Sequence, residues 1–189
     1  YGKTLFNSMP KEISEKKLKQ HFFGIEVTSE KPVFNRKEII LMDFQGKKDL
    51  VHFFYLLPYT NKNALIETTY FSNSIFGILH YKNDIRAYLK NNFPNERFRV
   101  DFCEKGILPM YKTESISTKR NIQIGTSNNW LKISTGYGFQ KAFLNSAKIV
   151  DCILDNKRIL IPKSRIGEIL DKIFCEFLNK YPNDYEDFF

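Results

Sequence analysis

Leu50-Val51-His52-Phe53-Phe54-Tyr55-Leu56-Leu57-Pro58, then Tyr59-Thr60-Asn61-Lys62, then Asn63-Ala64-Leu65-Ile66-Glu67-Thr68-Thr69-Tyr70-Phe71 is the stretch that decides the fold. Two runs rich in aromatic and β-branched residues around a short polar loop predict an antiparallel hairpin. Working outward, Glu38–Phe44 reads as another extended run, and Thr28–Phe34, with Pro32, as a polar turn region. Arg97–Glu104 alternates apolar and polar residues, which places Phe98, Val100, Phe102 and Glu104 on one strand face. Helices punctuate this sheet. Ile85, Tyr88 and Leu89 sit at helical spacing between Asn83 and Asn92, with Pro94 as a stop. Further on, Asn121–Ile124 is strand-like, Gly125–Ser134 is a loop, and a helix runs from about Thr135 to Leu154 with the stripe Phe139, Phe143, Ala147, Val150 and Leu154. Pro162 and Ser164 introduce a last helix, with Ile166, Ile169, Leu170, Ile173, Phe174, Phe177 and Leu178 on one face, ended by Tyr181-Pro182. Both stripes are expected in the core. The class is α+β, an antiparallel sheet with flanking helices.

Composition bounds the function. At 189 residues the chain is long enough for one domain, or for one and part of another, and 42% hydrophobic with 26% charged residues excludes a disordered or coiled-coil chain. No run approaches the roughly 20 apolar residues of a membrane span, and the start lacks the pattern of a signal peptide. The chain opens on Tyr1 and closes on Phe188-Phe189, and it is expected to be a piece of a longer protein. The net charge of +8 invites a phosphate-bearing partner. However, Lys outnumbers Arg 22 to 7 and Ile outnumbers Ala 20 to 4, the usage of an AT-rich coding sequence. The basic pairs Lys16-Lys17, Lys47-Lys48 and Lys119-Arg120 stand apart, so nucleic acid is not read as a partner. Aromatic residues make 15% of the chain, which suits either dense packing or a pocket for a large apolar or planar ligand. Cys103, Cys152 and Cys175 show no paired spacing and read as reduced, buried thiols. His21, His52 and His80 show no ligand spacing, so no metal site is expected.

Chemistry has two candidate places. On the second hairpin strand Leu65, Glu67, Thr69 and Phe71 share a face, and Glu67 interrupts apolar surroundings. Glu104 ends a similar run, just before Gly106 and Pro109. Each acid is either an ordinary edge or salt-bridged residue or a carboxyl whose pKa is raised by desolvation for acid catalysis. The second place is Gly125–Phe139, where a strand leads through glycine and a polar loop into a helix. Free N–H groups at Ser134, Thr135 and Gly136 would suit an anion or a flavin edge, or Ser134 or Thr135 is simply the helix cap. No G-x-x-x-x-G-K-[ST] or G-x-S-x-G occurs.

These residues carry a family resemblance. Gly125-Thr126 followed by Ser134-Thr135-Gly136-Tyr137-x-Phe139-Gln140, with Lys132 in register, resembles the GTAGG…KPSTGYxF signature of the flavin-dependent lycopene cyclase family. Gln20-His21-Phe22-x-Gly24 with Leu41-Met42-Asp43-Phe44, Phe54-Tyr55-x-Leu57-Pro58, Ala64-Leu65-Ile66-Glu67-x-Thr69-x-Phe71-Ser72 and Glu104-x-Gly106-x-x-Pro109-Met110 resemble four more of its segments, in order. The resemblance covers Gln20–Gln140, and weakly Phe174–Phe189.

The resemblance implies a substrate sheet over residues 1–120, a strand-loop-helix that contacts FAD and closes a Rossmann-like domain over 121–155, and a helical segment over 156–189. The family's G-x-G-x-x-G strand is absent from this sequence, so the chain is expected to lack the N-terminal FAD-binding segment and to be inactive alone. The implied reaction is redox-neutral cyclisation of the ends of a linear carotenoid, with reduced FAD as cofactor and NAD(P)H as possible reductant. Glu67 matches the family's catalytic acid and Glu104 a second carboxylate. Gly125, Thr126, Lys132, Thr135, Gly136 and Tyr137 would approach the flavin. The implied partners are an apolar polyene, the missing FAD-binding segment and a membrane surface, with a cytoplasmic location peripheral to the inner membrane. Three features depart from the family: Ser127-Asn128-Asn129 replaces small residues, Ile133 replaces Pro, and Thr68 stands where many members have a second acid.

Overall fold

The computed structural model describes residues 2–10, 12–45, 50–159 and 165–181. The expected helix start at Pro162 and Ser164, the pair Lys47-Lys48, Pro182 and Phe188-Phe189 lie outside these residues. In chain order the elements are β1 (Leu5–Asn7), β2 (Lys19–Ser29), β3 (Ile40–Asp43), β4 (Val51–Pro58), β5 (Asn63–Ser72), α1 (Ile78–Asn92), β6 (Phe98–Pro109), β7 (Asn121–Gln123), a 3-10 turn (Gly125–Asn128), α2 (Phe139–Leu154) and α3 (Arg165–Lys180). They form two compact units. Among the described residues, one is built on Lys19–Ile107, joined by residues 178–181, and the other on Leu108–Phe177 with residues before Lys19.

The first unit is the expected antiparallel sheet, in the order β3-β4-β5-β2-β6. The hairpin is as read: β4 and β5 pair from Val51 with Phe71 to Pro58 with Ala64, and Tyr59 N–H bonds Asn63 O at 2.9 Å to close the loop. β2 is the strand that periodicity did not single out. It lies between β5 and β6, and its long buried run inserts beside the hairpin, with Gly24 opposite Glu67. Cross-strand partners share a face. One face therefore carries Phe23, Ile25, Val27, Phe54, Leu56, Ala64 and Ile66 against α1, whose Tyr81, Ile85 and Tyr88 are buried at helical spacing. Each fully buried side chain of this kind contributes roughly 1.5–3 kcal/mol. Helix α1 starts at Ile78, five residues before Asn83, and ends where Phe93 N–H bonds Leu89 O, with Pro94 next.

The alternation of β6 slips by one residue. Phe98 packs on Phe34 and Phe93 on the helix face, whereas Glu104 sits beside Gly24 on the other. Phe98 and Val100 thus do not share the face of Glu104, contrary to strict period two.

All three histidines of the chain gather at Tyr70 on the helix face. His21, Tyr70 and His52 are in register across β2, β5 and β4, and their rings stack, His52 on Tyr70 at 3.9 Å and 6° and His21 on Tyr70 at 5.6 Å and 13°. The Tyr70 hydroxyl donates to Asp84 Oδ2 at 2.9 Å and lies 3.1 Å from His80 Nε2. His21 is enclosed between Ser72 Oγ, 2.9 Å from Nε2, and Tyr81 OH, 2.8 Å from Nδ1. Burial pushes its imidazole down to about 4, and the Lys19 charge adds to the fall. The folded form therefore binds fewer protons than the unfolded chain between about 4 and 6.5, and this contribution to stability, full above 6.5, is lost as pH falls to 4. Urea unfolding at stepped pH should show that His21→Gln removes about 3 kcal/mol of pH dependence from this window. Identical slopes in the two proteins would refute the assignment.

In the second unit β1 and β7 pair in parallel, from Leu5 with Asn121 to Asn7 with Gln123. Beyond β7 the Gly125–Asn128 turn is tied back by Ser127 N–H to Ser8 O at 3.1 Å. Helix α2 begins at Phe139, not Thr135, and its N-cap is Gly138, with no side-chain cap. Ser134 is spent elsewhere, buried and donating to Asp171 of α3 at 2.6 Å. Much of the stripes expected in the core stays at the surface: Phe139 is 73%, Phe143 69% and Leu154 74% exposed, and Ile169, Leu170 and Ile173 of α3 are exposed as well, whereas Leu178 at the end of the α3 stripe is buried and Phe174 and Phe177 are half-buried. A pair of three-residue strands offers too little apolar surface to cover two sixteen-residue helices. Of the three free cysteines only Cys175 is buried, while Cys103 is exposed and Cys152 intermediate. No helix among the described residues is long and apolar enough to cross a membrane.

Candidate functional site

The sheet face turned away from α1 carries the acids. Its apolar part is a run of rings, Phe44 on Phe53 at 5.8 Å, Phe53 on Tyr55 at 5.2 Å and Phe53 on Phe71 at 5.4 Å. Glu67 stands among them on the central strand β5, in register with Tyr55 on one side and Gly24 on the other. Its Oε1 accepts a 2.6 Å hydrogen bond from Thr69 Oγ1. Burial pushes the Glu67 carboxyl up to about 7, against the Thr69 bond, which lowers it; the nearby Glu104 charge raises it further. A carboxyl with that pKa is substantially protonated at neutral pH, the state a proton donor needs. Burial and the Glu67 charge likewise push the Tyr55 hydroxyl up to about 12, so it remains a neutral donor.

Glu104 reaches the same place from β6. A Cβ built on Gly24 would lie 3.2 Å from Glu104 Cγ, 3.3 Å from its Oε1 and 3.3 Å from Leu65 Cδ1. Gly24, opposite Glu67 in register, leaves room for Glu104, and a side chain there would press on Glu104 and Leu65. Gly106 has a similar role one step along, since a Cβ would meet the Phe22 ring at 2.4 Å. The fold thus brings Glu67 and Glu104 together across Gly24. Tyr55, Thr69 and Gly24 are additions to the sequence reading.

The six residues expected at a flavin lie in one loop of the other unit. Gly125 (φ 53) and Gly136 (φ 70) both adopt the left-handed backbone that favours glycine. Lys132 N–H bonds Tyr137 O at 2.7 Å and Gly136 N–H bonds Lys132 O at 2.7 Å, making a closed turn in place of the expected free helix terminus. Lys132, Thr135 and Tyr137 are exposed, and Gly125, Thr126 and Gly136 half-buried. The bulkier Ser127-Asn128-Asn129 does not crowd the loop. Ser127 turns in to Gln123, Asn128 accepts from Ser115 Oγ at 3.0 Å, and Asn129 holds Thr113 through its N–H and its carbonyl.

The model of the lycopene cyclase protein family matches residues 3–165. The chain belongs to the lycopene cyclase family. A search of curated protein sequences gives no significant match. Among solved structures, this lycopene cyclase family chain is similar to a geranylgeranyl bacteriochlorophyll reductase-like protein from Thermoplasma acidophilum (TM-score 0.59, 11% identity, 96% of this chain and 48% of that one). It also resembles a flavoprotein/dehydrogenase from Cytophaga hutchinsonii (TM-score 0.52, 13% identity, 93% and 45%) and a flavin-dependent brominase (TM-score 0.50, 14% identity, 99% and 51%). The family chain shares their fold and spans about half the length of each.

Proposed function

We propose that this chain forms the substrate-sheet part of a flavin-dependent lycopene cyclase, which closes rings at the ends of a linear carotenoid by acid initiation and without net redox change. The observation that carries the reading is Glu67, a carboxyl kept protonated near neutrality on an aromatic sheet face. Glu67 gives its proton to a terminal alkene carbon, and the resulting carbocation is attacked by the neighbouring double bond, which closes the ring. Loss of a proton from an adjacent carbon then restores a neutral, isomeric product. The carboxylate left on Glu67 stabilises the cation while it lasts. Glu104, across Gly24, serves as electrostatic support or as a relay for the returning proton, and Thr69 holds the Glu67 carboxyl in place beside its cross-strand neighbour Tyr55.

The 125–137 loop fits a flavin in its residues. Two left-handed glycines admit a close approach, the larger side chains turn inward, and the buried Nε1 of Trp130 has no acceptor among the described residues. Gly125, Thr126, Lys132, Thr135, Gly136 and Tyr137 would hold the ring and its ribityl chain. What a reduced flavin supplies when bound is an electron-rich surface for positive charge; NAD(P)H is the proposed source of its electrons. The complete protein then includes a segment with the dinucleotide-binding glycines, and a membrane surface supplies the polyene.

The test is conversion of lycopene by the full-length protein, anaerobically with reduced flavin. The expected product is a ringed isomer of unchanged mass by chromatography and mass spectrometry, with no hydride acceptor consumed. A product differing by a pair of hydrogens, or no product, overturns the cyclase reading in favour of a redox flavoprotein or a lipid-binding module.

A further inference from the structure

The opposite face of the same sheet holds a cavity that the reaction does not use. It lies beneath α1, toward β2 and β6, with a volume of about 540 Å³, within the roughly 300–1,000 Å³ range of small-molecule sites. Its floor is hydrocarbon: Phe23 and Ile25 from β2, Ile85 and Leu89 from α1, and Phe98 from β6. The edge-to-face pair of Phe93 and Phe98, 5.7 Å apart at 73°, borders one end.

The lip is cationic. Lys82, Arg86 and Lys90 border the cavity at successive fourth positions of α1, one helical turn apart. Arg86 bonds only Asn83 Oδ1, at 3.1 Å, and among the described residues none of the three has an ion-pair partner. Like charges at this spacing repel and destabilise a helix; only Lys90, in the last turn, is favoured by the helix dipole. The acid on the rim, Glu96, is already paired with Lys31 at 3.8 Å.

We propose that this cavity binds a single-chain amphiphile with an anionic head, its hydrocarbon tail on Phe23, Ile25, Ile85, Leu89 and Phe98 and its carboxylate or phosphate on Lys82, Arg86 and Lys90. A neutral polyene would have no use for the cations, and a nucleic acid none for the hydrocarbon floor. The site is separate from Glu67, across the sheet, and does not rest on the cyclase reading.

The experiment is calorimetric titration of the full chain with laurate below its micelle concentration, with dodecanol as the neutral comparison. The expected result is saturable binding of laurate, tighter than that of dodecanol. Combining Lys82→Glu, Arg86→Glu and Lys90→Glu, all exposed, should weaken laurate by roughly tenfold or more and leave dodecanol unchanged. Leu89→Trp, which fills the trough, should weaken both. Circular dichroism melts establish that each variant is folded. Equal affinity for laurate and dodecanol, no saturation, or laurate binding indifferent to both variants overturns the proposal. Binding to phosphatidylglycerol vesicles with none to free laurate also overturns it, since it assigns the cations to a lipid surface instead of a cavity.

Discussion

Replacing Glu67 by Gln is expected to lower cyclase turnover by about 10²- to 10⁴-fold and, in the same protein, to raise stability at alkaline pH. Gln keeps the size of the side chain and can still accept from Thr69, so the difference isolates the transferable proton. The sign of the stability effect follows from the raised pKa. Burial pushes the carboxyl from an ordinary 4.5 up to about 7, so the folded form holds a proton that the unfolded chain has released over that range. Stability attributable to Glu67 therefore falls as pH rises from about 4.5 to 7, and above 7 the fold bears the full cost of a buried carboxylate. Removing the charge should return up to about 3 kcal/mol at pH 8 and nothing at pH 4. Denaturant midpoints at the two pH values measure it. Lost turnover with a gain in alkaline stability would exclude simple misfolding. Unchanged turnover would remove Glu67 from the mechanism, and unchanged alkaline stability would show that its carboxyl is not buried as described.

The second large effect is expected at Tyr70, the fully buried ring on the far side of that strand. Tyr70→Ala should cost about 3–5 kcal/mol, because the side chain fills the space between the His21 and His52 rings and nothing nearby can collapse into it. Tyr70→Phe keeps the stack and removes only the hydroxyl. It leaves Asp84 with His80 at 3.6 Å, so a loss of about 1–3 kcal/mol is expected. The two variants separate packing from hydrogen bonding by urea denaturation. If Phe costs as much as Ala, the ring contributes nothing beyond its hydroxyl.

What could be read from the sequence follows how local each determinant is. The β4–β5 hairpin was legible because one alternating pattern and one short loop fix it, and counting back from that loop already pairs Tyr55 with Glu67. Glu67 itself stood out as a lone carboxylate on an apolar face. Gly24 could not be reached that way. Its place between the acids depends on β2 pairing with both β5 and β6, contacts made across more than forty residues of chain. The one-residue slip in β6 was hidden for a related reason, since period two assumes a regular strand and only the packed neighbours reveal where regularity stops. For α2 the stripe was read correctly as apolar and wrongly as core. Amphipathicity says which face wants burial, not whether the described residues supply a surface to bury it.

Strand β5 touches two groups that titrate in opposite senses, the half-buried Glu67 on one face and the buried His21, stacked on Tyr70, on the other. Between about pH 4.5 and 6.5 the folded chain retains a proton at Glu67 that the unfolded chain surrenders, while it refuses at His21 one that the unfolded chain accepts. The two nearly balance, so folding across this interval takes up and releases almost no protons from these sites. Acidification within this interval would then leave the fold indifferent to these two sites, with Glu67 holding its proton throughout.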